Sequence, residues 1–204
     1  MVVQFAPVRL PKALRSPCQD VLDSLMDLRR RVFAEELNWR VWLSCRSDLD
    51  QYDHLDSHYV VACDPVTREV FAGARLLRTD RGGADPDRTQ MTYMVRDAVR
   101  GLLPGLPQDL CDAPPPCDDK VWELTRFVSN GDPGMGQLVL QRLHRFLLEQ
   151  GAERFVFLSP PPVARLAKSS GFTNVVPLGP LRGGKGGRYR VYSADLPPLP
   201  QLPK

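Results

Sequence analysis

The chain has 204 residues, 27 Lys and Arg against 24 Asp and Glu for a net charge of +3, and an apolar fraction of 43%. That composition excludes a disordered or fibrous chain, and the length suits one well-buried core better than two. No apolar run approaches the roughly 20 residues that cross a bilayer, and Pro7 and Pro11 interrupt the stretch where a leader would be continuous; the expectation is a cytoplasmic protein with one domain over 1–196 and a Pro-rich extended tail over 197–204.

Apolar residues at 21, 22, 25, 28, 32, 33 and 37 keep helical spacing and predict an amphipathic helix over 21–37. Runs at 58–63 and 70–77 flank the turn signal Asp64-Pro65 and predict an antiparallel hairpin. A polar loop with Gly82-Gly83 covers 78–90, a helix is expected over 93–103, and the stiff Pro114-Pro115-Pro116 makes 104–120 a second loop. The order then runs strand 121–128, glycine-rich turn, helix 135–150, strand 153–158, helix from about residue 162 to 170, and strand 188–194. Hairpins early and alternating helices and strands late predict an α/β fold, a single-layer mixed, mostly antiparallel sheet flanked by helices.

The five cysteines are an odd number with no Cys-x-x-Cys pair, so they read as ordinary thiols rather than a disulfide framework or zinc site, and no metal is expected. Residues 1–140 carry 17 basic against 21 acidic side chains, whereas 141–204 carry 10 against 3. This basic C-terminal third suits an acidic partner, a phosphate-bearing ligand or nucleic acid, or is simply a solvated face.

Charges inside apolar strands are the features that point to chemistry: Arg75 within 70–77, and Glu123 with Arg126 within 121–128. A lone ion there costs several kcal/mol, so the two strands are expected to be neighbours with their charges meeting. Such a group either binds or deprotonates a polar substrate, or forms an internal ion pair that fixes register. Upstream, Arg29, Phe33 and Trp39 precede Asp50-Gln-Tyr-Asp53, where aromatic rings beside carboxylates suit a cation or are core beside a solvated acidic turn. After the charged strand, Gly131, Gly134 and Gly136 lead straight into a helix, an arrangement that admits a phosphate or serves as plain turn chemistry.

Strand, Gly-x-x-Gly-x-Gly and helix resemble the pantetheine-pyrophosphate loop of the GNAT acyltransferases, with Gly131 standing where that loop usually has Gln or Arg. Over residues 25–130 the order Arg29-x-x-Val32-Phe33, Leu37-x-Trp39, Asp50-x-x-Asp53, Arg75-Leu76-Leu77 and Trp122-Glu123-Leu124-Thr125-Arg126-Phe127 resembles the acyl-homoserine-lactone synthases, the autoinducer synthases of quorum sensing. Thr125 replaces the family's usual Ser, Gly73 lies one residue closer to Arg75 than in its pattern, and Arg78 stands where Pro often follows.

The resemblance implies a GNAT fold and a reaction that joins the amine of S-adenosylmethionine to an acyl thioester, on acyl carrier protein or coenzyme A, and closes the lactone with loss of methylthioadenosine. It implies no resident cofactor. Glu123 would take the amine proton, with Arg75 and Arg126 positioning it and the substrate carboxylate. Phe33 and Trp39 would pack near the sulfonium and adenosine, Asp50 and Asp53 would supply negative charge and order an N-terminal lid, Arg29 would anchor a carboxylate or tie down that lid, and Thr125 and Ser159 would line the substrate site. Gly131, Gly134 and Gly136, with Arg142 and Arg145 on the following helix, are the expected contacts to phosphopantetheine or a carrier protein. Because strict alternation puts Glu123 and Arg126 on opposite faces, a β-bulge is expected at about residues 124–127, as GNAT folds carry in this strand. Two alternatives remain: a GNAT N-acyltransferase that makes no lactone, and a non-enzymatic module that binds an acyl carrier or nucleic acid through the basic third.

Overall fold

The computed structural model describes residues 1–4, 17–37, 49–54, 56–81, 92–132, 134–184 and 187–199. Helix α1 (Pro17–Arg29) buries Val21, Leu22, Leu25, Met26 and Leu28, the spacing that marked it in the sequence. Its continuation, Arg30–Glu36, widens to a π-helical turn in which Leu37 N donates to Val32 O at 2.9 Å. The wider turn leaves Arg30, Arg31, Glu35 and Glu36 outside while Arg29 and Phe33, four apart, both stay buried.

Strands β1 (Val2–Gln4), β2 (His58–Cys63), β3 (Val70–Arg78) and β4 (Val121–Ser129) lie side by side and antiparallel. Beyond them come α2 (Met94–Val99), α3 (Met135–Glu149), β5 (Arg154–Ser159), α4 (Pro161–Ser169), β6 (Thr173–Pro177), β7 (Arg182–Gly184) and β8 (Gly187–Asp195). The sheet order is β1-β2-β3-β4-β5-β8-β6, with β7 paired to β8, and β4 with β5 is the parallel pair among otherwise antiparallel neighbours. This is the mixed, mostly antiparallel layer expected. The helix expected over 93–103 ends at Val99, with Gly101 in the left-handed region at φ 78°. β1, β6 and β7 were not anticipated, since runs of 3 to 5 residues such as exposed Thr173-Asn174 carry too little alternation to read.

Helices α3 and α4 cover one face of the sheet, over Trp122, Leu124, Phe155 and Phe157. α1 covers the other face above β2 and β3 around Tyr59 and Val61, and α2 covers it farther along around Val121, Val156 and Val191. Burial of these three apolar clusters is the main stabilising term. Prolines 161 and 162 open α4, where a missing amide hydrogen costs no helical bond. The expected extended end begins less loosely than its composition suggests, because the His144 ring Nε2 donates to Pro197 O at 2.7 Å.

Two irregularities interrupt the sheet at β4. This strand pairs with β5 only from Val121 to Leu124, opposite Arg154 to Phe157; beyond that β4 continues along β3 and β5 along β8, so the strands part. Opposite Ala74, β4 carries two residues, Arg126 and Phe127, between the pairs Arg75↔Thr125 and Gly73↔Val128. Arg126 has φ 51°. This is the expected bulge, one residue later than the centre of its predicted span.

Candidate active site

The turn between α1 and β2 brings Asp50 and Asp53 under the sheet's α1 face, where three arginines from three elements converge. Arg29, at the end of α1, grips Asp53 with both terminal nitrogens at 2.9 and 3.1 Å. Arg75 of β3 reaches Asp50 at 2.5 and 3.2 Å and Asp53 at 2.8 Å, while its Nε donates to Thr125 Oγ1 at 3.0 Å. Arg126, turned by the bulge, donates to Asp50 at 2.8 and 3.2 Å. Tyr59 OH donates to Asp53 at 2.5 Å, and the amides of Asp50 and Tyr52 close the turn on Asp53 and Asp50. Paired and hydrogen-bonded in this way, ions can remain buried.

Burial alone would raise both aspartates, but Arg75, aided by Arg126 at Asp50 and Arg29 at Asp53, holds each below the usual carboxylate range. Aromatic faces complete the group: Arg126 lies 5.3 Å from the Phe33 ring centre and Arg75 lies 5.5 Å from that of Tyr52. Arg126 is the most accessible of the three arginines, its side chain 13% exposed against 1% for Arg29 and 0% for Arg75.

Glu123 stands apart. It pairs across the sheet with Leu77 on one side and Val156 on the other, one residue before β4 and β5 part, and it is completely buried. Its Oε2 accepts from Met94 N at 2.9 Å and its Oε1 from Val95 N at 2.8 Å. Burial pushes its carboxyl up to about 7, against the opposing pull of those two amides and of Arg75. A carboxylate near neutrality, beside the parting of two strands, is suited to taking a proton from a ligand.

The geometry corrects one expectation. The charged strands are neighbours, and the bulge does put Arg126 on the face shared by Glu123 and Thr125, yet Glu123 does not meet the arginines. Arg75 is occupied by Asp50, Asp53 and Thr125, and Glu123 is held by α2 backbone amides. The acidic turn neutralises the guanidinium groups instead, so the site contains two separate carboxylate environments.

Of the other predicted residues, Trp39 lies outside the described residues. Ser159 is buried at the end of β5, just past the parting, with its hydroxyl turned to Pro160 O at 3.3 Å. Gly131 and Gly134 adopt φ 96° and 84°, and a Cβ on Gly136 would come within 3.2 Å of the Phe127 ring. Backbone conformation and packing therefore account for these glycines as the turn reading expected. Arg142 and Arg145 are exposed on α3, on the far face of the sheet from Glu123. Arg142 borders a cavity of about 320 Å³ between α3, β2 and β3, which does not reach Glu123 or the acidic turn.

Sequence reasoning missed Tyr52, Tyr59, Asp97 and the amides of Met94 and Val95. Tyr52 was visible inside Asp50-Gln-Tyr-Asp53 but had no assigned partner. Asp97 accepts from Thr92 N at 2.7 Å and Thr92 Oγ1 at 2.8 Å, five residues back, outside the three-residue separation of a capping box.

Residues 14–86 match the family model described as autoinducer synthase. A curated acyl-homoserine-lactone synthase of Acinetobacter nosocomialis is 32% identical over 156 residues, 71% of this chain and 75% of the relative. Among solved structures, TofI in a ternary complex with an inhibitor and MTA superposes with a TM-score of 0.72 at 22% identity, over 96% of this chain and 90% of that one. BjaI, described as a CoA-dependent acyl-homoserine lactone synthase with SAM and isopentyl-CoA, gives 0.65 at 25% identity, over 88% and 77%.

Proposed function

Because this chain belongs to the acyl-homoserine-lactone synthases, acyltransferases of GNAT-like fold that make quorum-sensing signals, we propose that Glu123 is the general base that releases the amine of S-adenosylmethionine for attack on an acyl thioester. The observation that carries this reading is a fully buried carboxylate, held by two amides, whose affinity for a proton lies near pH 7. Glu123 takes the proton that the ammonium group must lose, and the freed amine attacks the thioester carbonyl as the thiol leaves. The substrate carboxylate then attacks the carbon bonded to sulfur, closes the ring, and expels methylthioadenosine from the sulfonium. No step calls for a resident cofactor, since the sulfonium supplies its own leaving group.

Arg126, the most accessible guanidinium and stacked on Phe33, is the reading's anchor for the substrate carboxylate. Arg75 acts from underneath, fixing the acidic turn and Thr125. Trp39, by the resemblance, adds an aromatic wall for the adenosine. The thioester enters where β4 and β5 part, past Ser159, with its pantetheine arm toward the Gly131 turn; the donor is an acyl carrier protein or coenzyme A thioester, as isopentyl-CoA is for BjaI. Among the described residues no helix is long and apolar enough to cross a membrane. The reading places residues 1–196 as one catalytic domain working in the cytoplasm.

The test is purified chain with S-adenosylmethionine and a panel of acyl carrier protein and coenzyme A thioesters, followed by mass spectrometry. Acyl-homoserine lactone and methylthioadenosine are expected in equal amounts. Acylated amine without lactone would replace this reading with that of a plain N-acyltransferase.

A further inference from the structure

Glu123 receives its two hydrogen bonds from the first turn of α2, a helix of only 6 residues. So short a helix has no stability of its own, and something outside it must hold that turn in place. Asp97, completely buried in the same helix, provides the tie. Its Oδ2 accepts from Thr92 N at 2.7 Å and from Tyr52 OH at 3.0 Å, and its Oδ1 from Thr92 Oγ1 at 2.8 Å, with Arg100 at 3.3 Å on the solvent side. Tyr52 belongs to the acidic turn, its amide bound to Asp50 at 2.9 Å and its ring 5.5 Å from the Arg75 guanidinium. The Tyr52 ring thus lies against the ion lattice at Arg75 while its hydroxyl reaches Asp97, in the helix whose amides hold Glu123.

We infer that Tyr52 and Asp97 are positioning residues, a buried bridge by which the Asp50 to Asp53 turn fixes the α2 amides that hold Glu123. The inference rests on Glu123 being the base. Its physical content is that the geometry of the proton acceptor is set from the ion lattice through one hydroxyl, so ordering the lattice also orders the base. The groups facing Glu123 are Arg75 from β3, Asp97 and Tyr93 from α2 and its lead-in, and Tyr52 from the turn. Among these, Arg75 and the two amides pull its proton affinity down while Asp97 and burial push it up. If the bridge is cut, the amides loosen and the affinity rises.

Tyr52→Phe removes the hydroxyl and keeps the ring over Arg75, so it cuts the bridge with little loss of packing. Expected in the full chain are a fall in kcat of about tenfold with both KM values nearly unchanged, an acidic limb of the pH profile displaced to higher pH, and hydrogen exchange at the amides of 94 and 95 faster by about tenfold. Asp97→Asn should give the same fall in kcat and the same faster exchange at the amides of 94 and 95, but a smaller displacement of the pH limb, because it also removes a charge that raises Glu123's proton affinity. In kcat and exchange the double variant should lose little more than either alone. A folded Tyr52→Phe protein whose pH limb and amide exchange match the parent overturns the bridge. Lower thermal stability with both readouts unmoved would mean ordinary packing and overturns it too. Glu123→Gln, assayed alongside, separates the two levels: if it retains turnover the base assignment fails, while amide exchange in Tyr52→Phe still decides whether the bridge exists.

Discussion

Asp50 and Asp53 on one side, and Glu123 on the other, share a chemical group and a face of the sheet but have opposite tendencies. All are buried. The aspartates face three guanidinium groups and are held in the charged form; Glu123 has only two amides and a more remote Arg75, so burial prevails and its proton affinity rises to about 7. The contrast teaches that the partner, and not depth, decides whether a buried carboxylate is a structural ion or an acid near its working point.

The sharpest way to break the contrast is to remove the lattice's central cation. Arg75→Met leaves Asp50 and Asp53 with a buried, partly uncompensated charge, a change that costs about 3 to 5 kcal/mol in comparable buried pairs. The fall should appear in urea unfolding, and unaltered stability would show that Arg29 and Arg126 suffice. Glu123→Gln acts on the other environment: turnover should drop by about a hundredfold or more, the usual weight of a positioned general base, while the unfolding midpoint holds. Loss of folding there would make Glu123 a structural ion after all.

Acidity separates the two without any substitution. Below about 7, kcat/KM should fall tenfold per pH unit as Glu123 becomes protonated. The folded pKa of Glu123 is raised, so this residue favours the fold at low pH and withdraws that support as pH rises through about 7. Those of Asp50 and Asp53 are depressed, so their contribution is present above the ordinary aspartate range and is lost as pH falls below it. Activity should therefore disappear well before the fold does on acidification, as circular dichroism beside a rate profile would show. Coincident losses would mean that one event, unfolding, governs both.

Much of this was legible in the sequence, for identifiable reasons. Charges inside the apolar runs 70–77 and 121–128 announced buried ions, and the three-residue offset of Glu123 and Arg126 demanded the bulge that Arg126 supplies at φ 51°. Who pairs with whom was not legible. Arg75 could have met Glu123 or the Asp50 turn with equal chemical sense, and the choice depends on where a loop packs, which no periodicity encodes. The amides that hold Glu123 have no side-chain signature, and Tyr52 differs from a core aromatic only through a hydroxyl whose partner lies 45 positions away.

The smallest effect expected lies farthest from both environments. Arg142 and Arg145 are exposed on α3, across the sheet from Glu123, in the third of the chain that carries 10 basic against 3 acidic residues. Charges so placed cannot enter the chemistry, so reversing both to Glu should leave kcat unchanged. They can attract an acidic carrier protein from a distance, an effect felt over about 8 to 10 Å at moderate salt. With a carrier-bound donor the reversal should raise KM by about two- to fivefold at low ionic strength, through slower association, and the gap should close as salt is added. With a coenzyme A thioester, whose charge is compact and must bind locally, KM should stay the same. Equal KM for parent and variant on the carrier-bound donor at every salt concentration would remove Arg142 and Arg145 of α3 from donor docking.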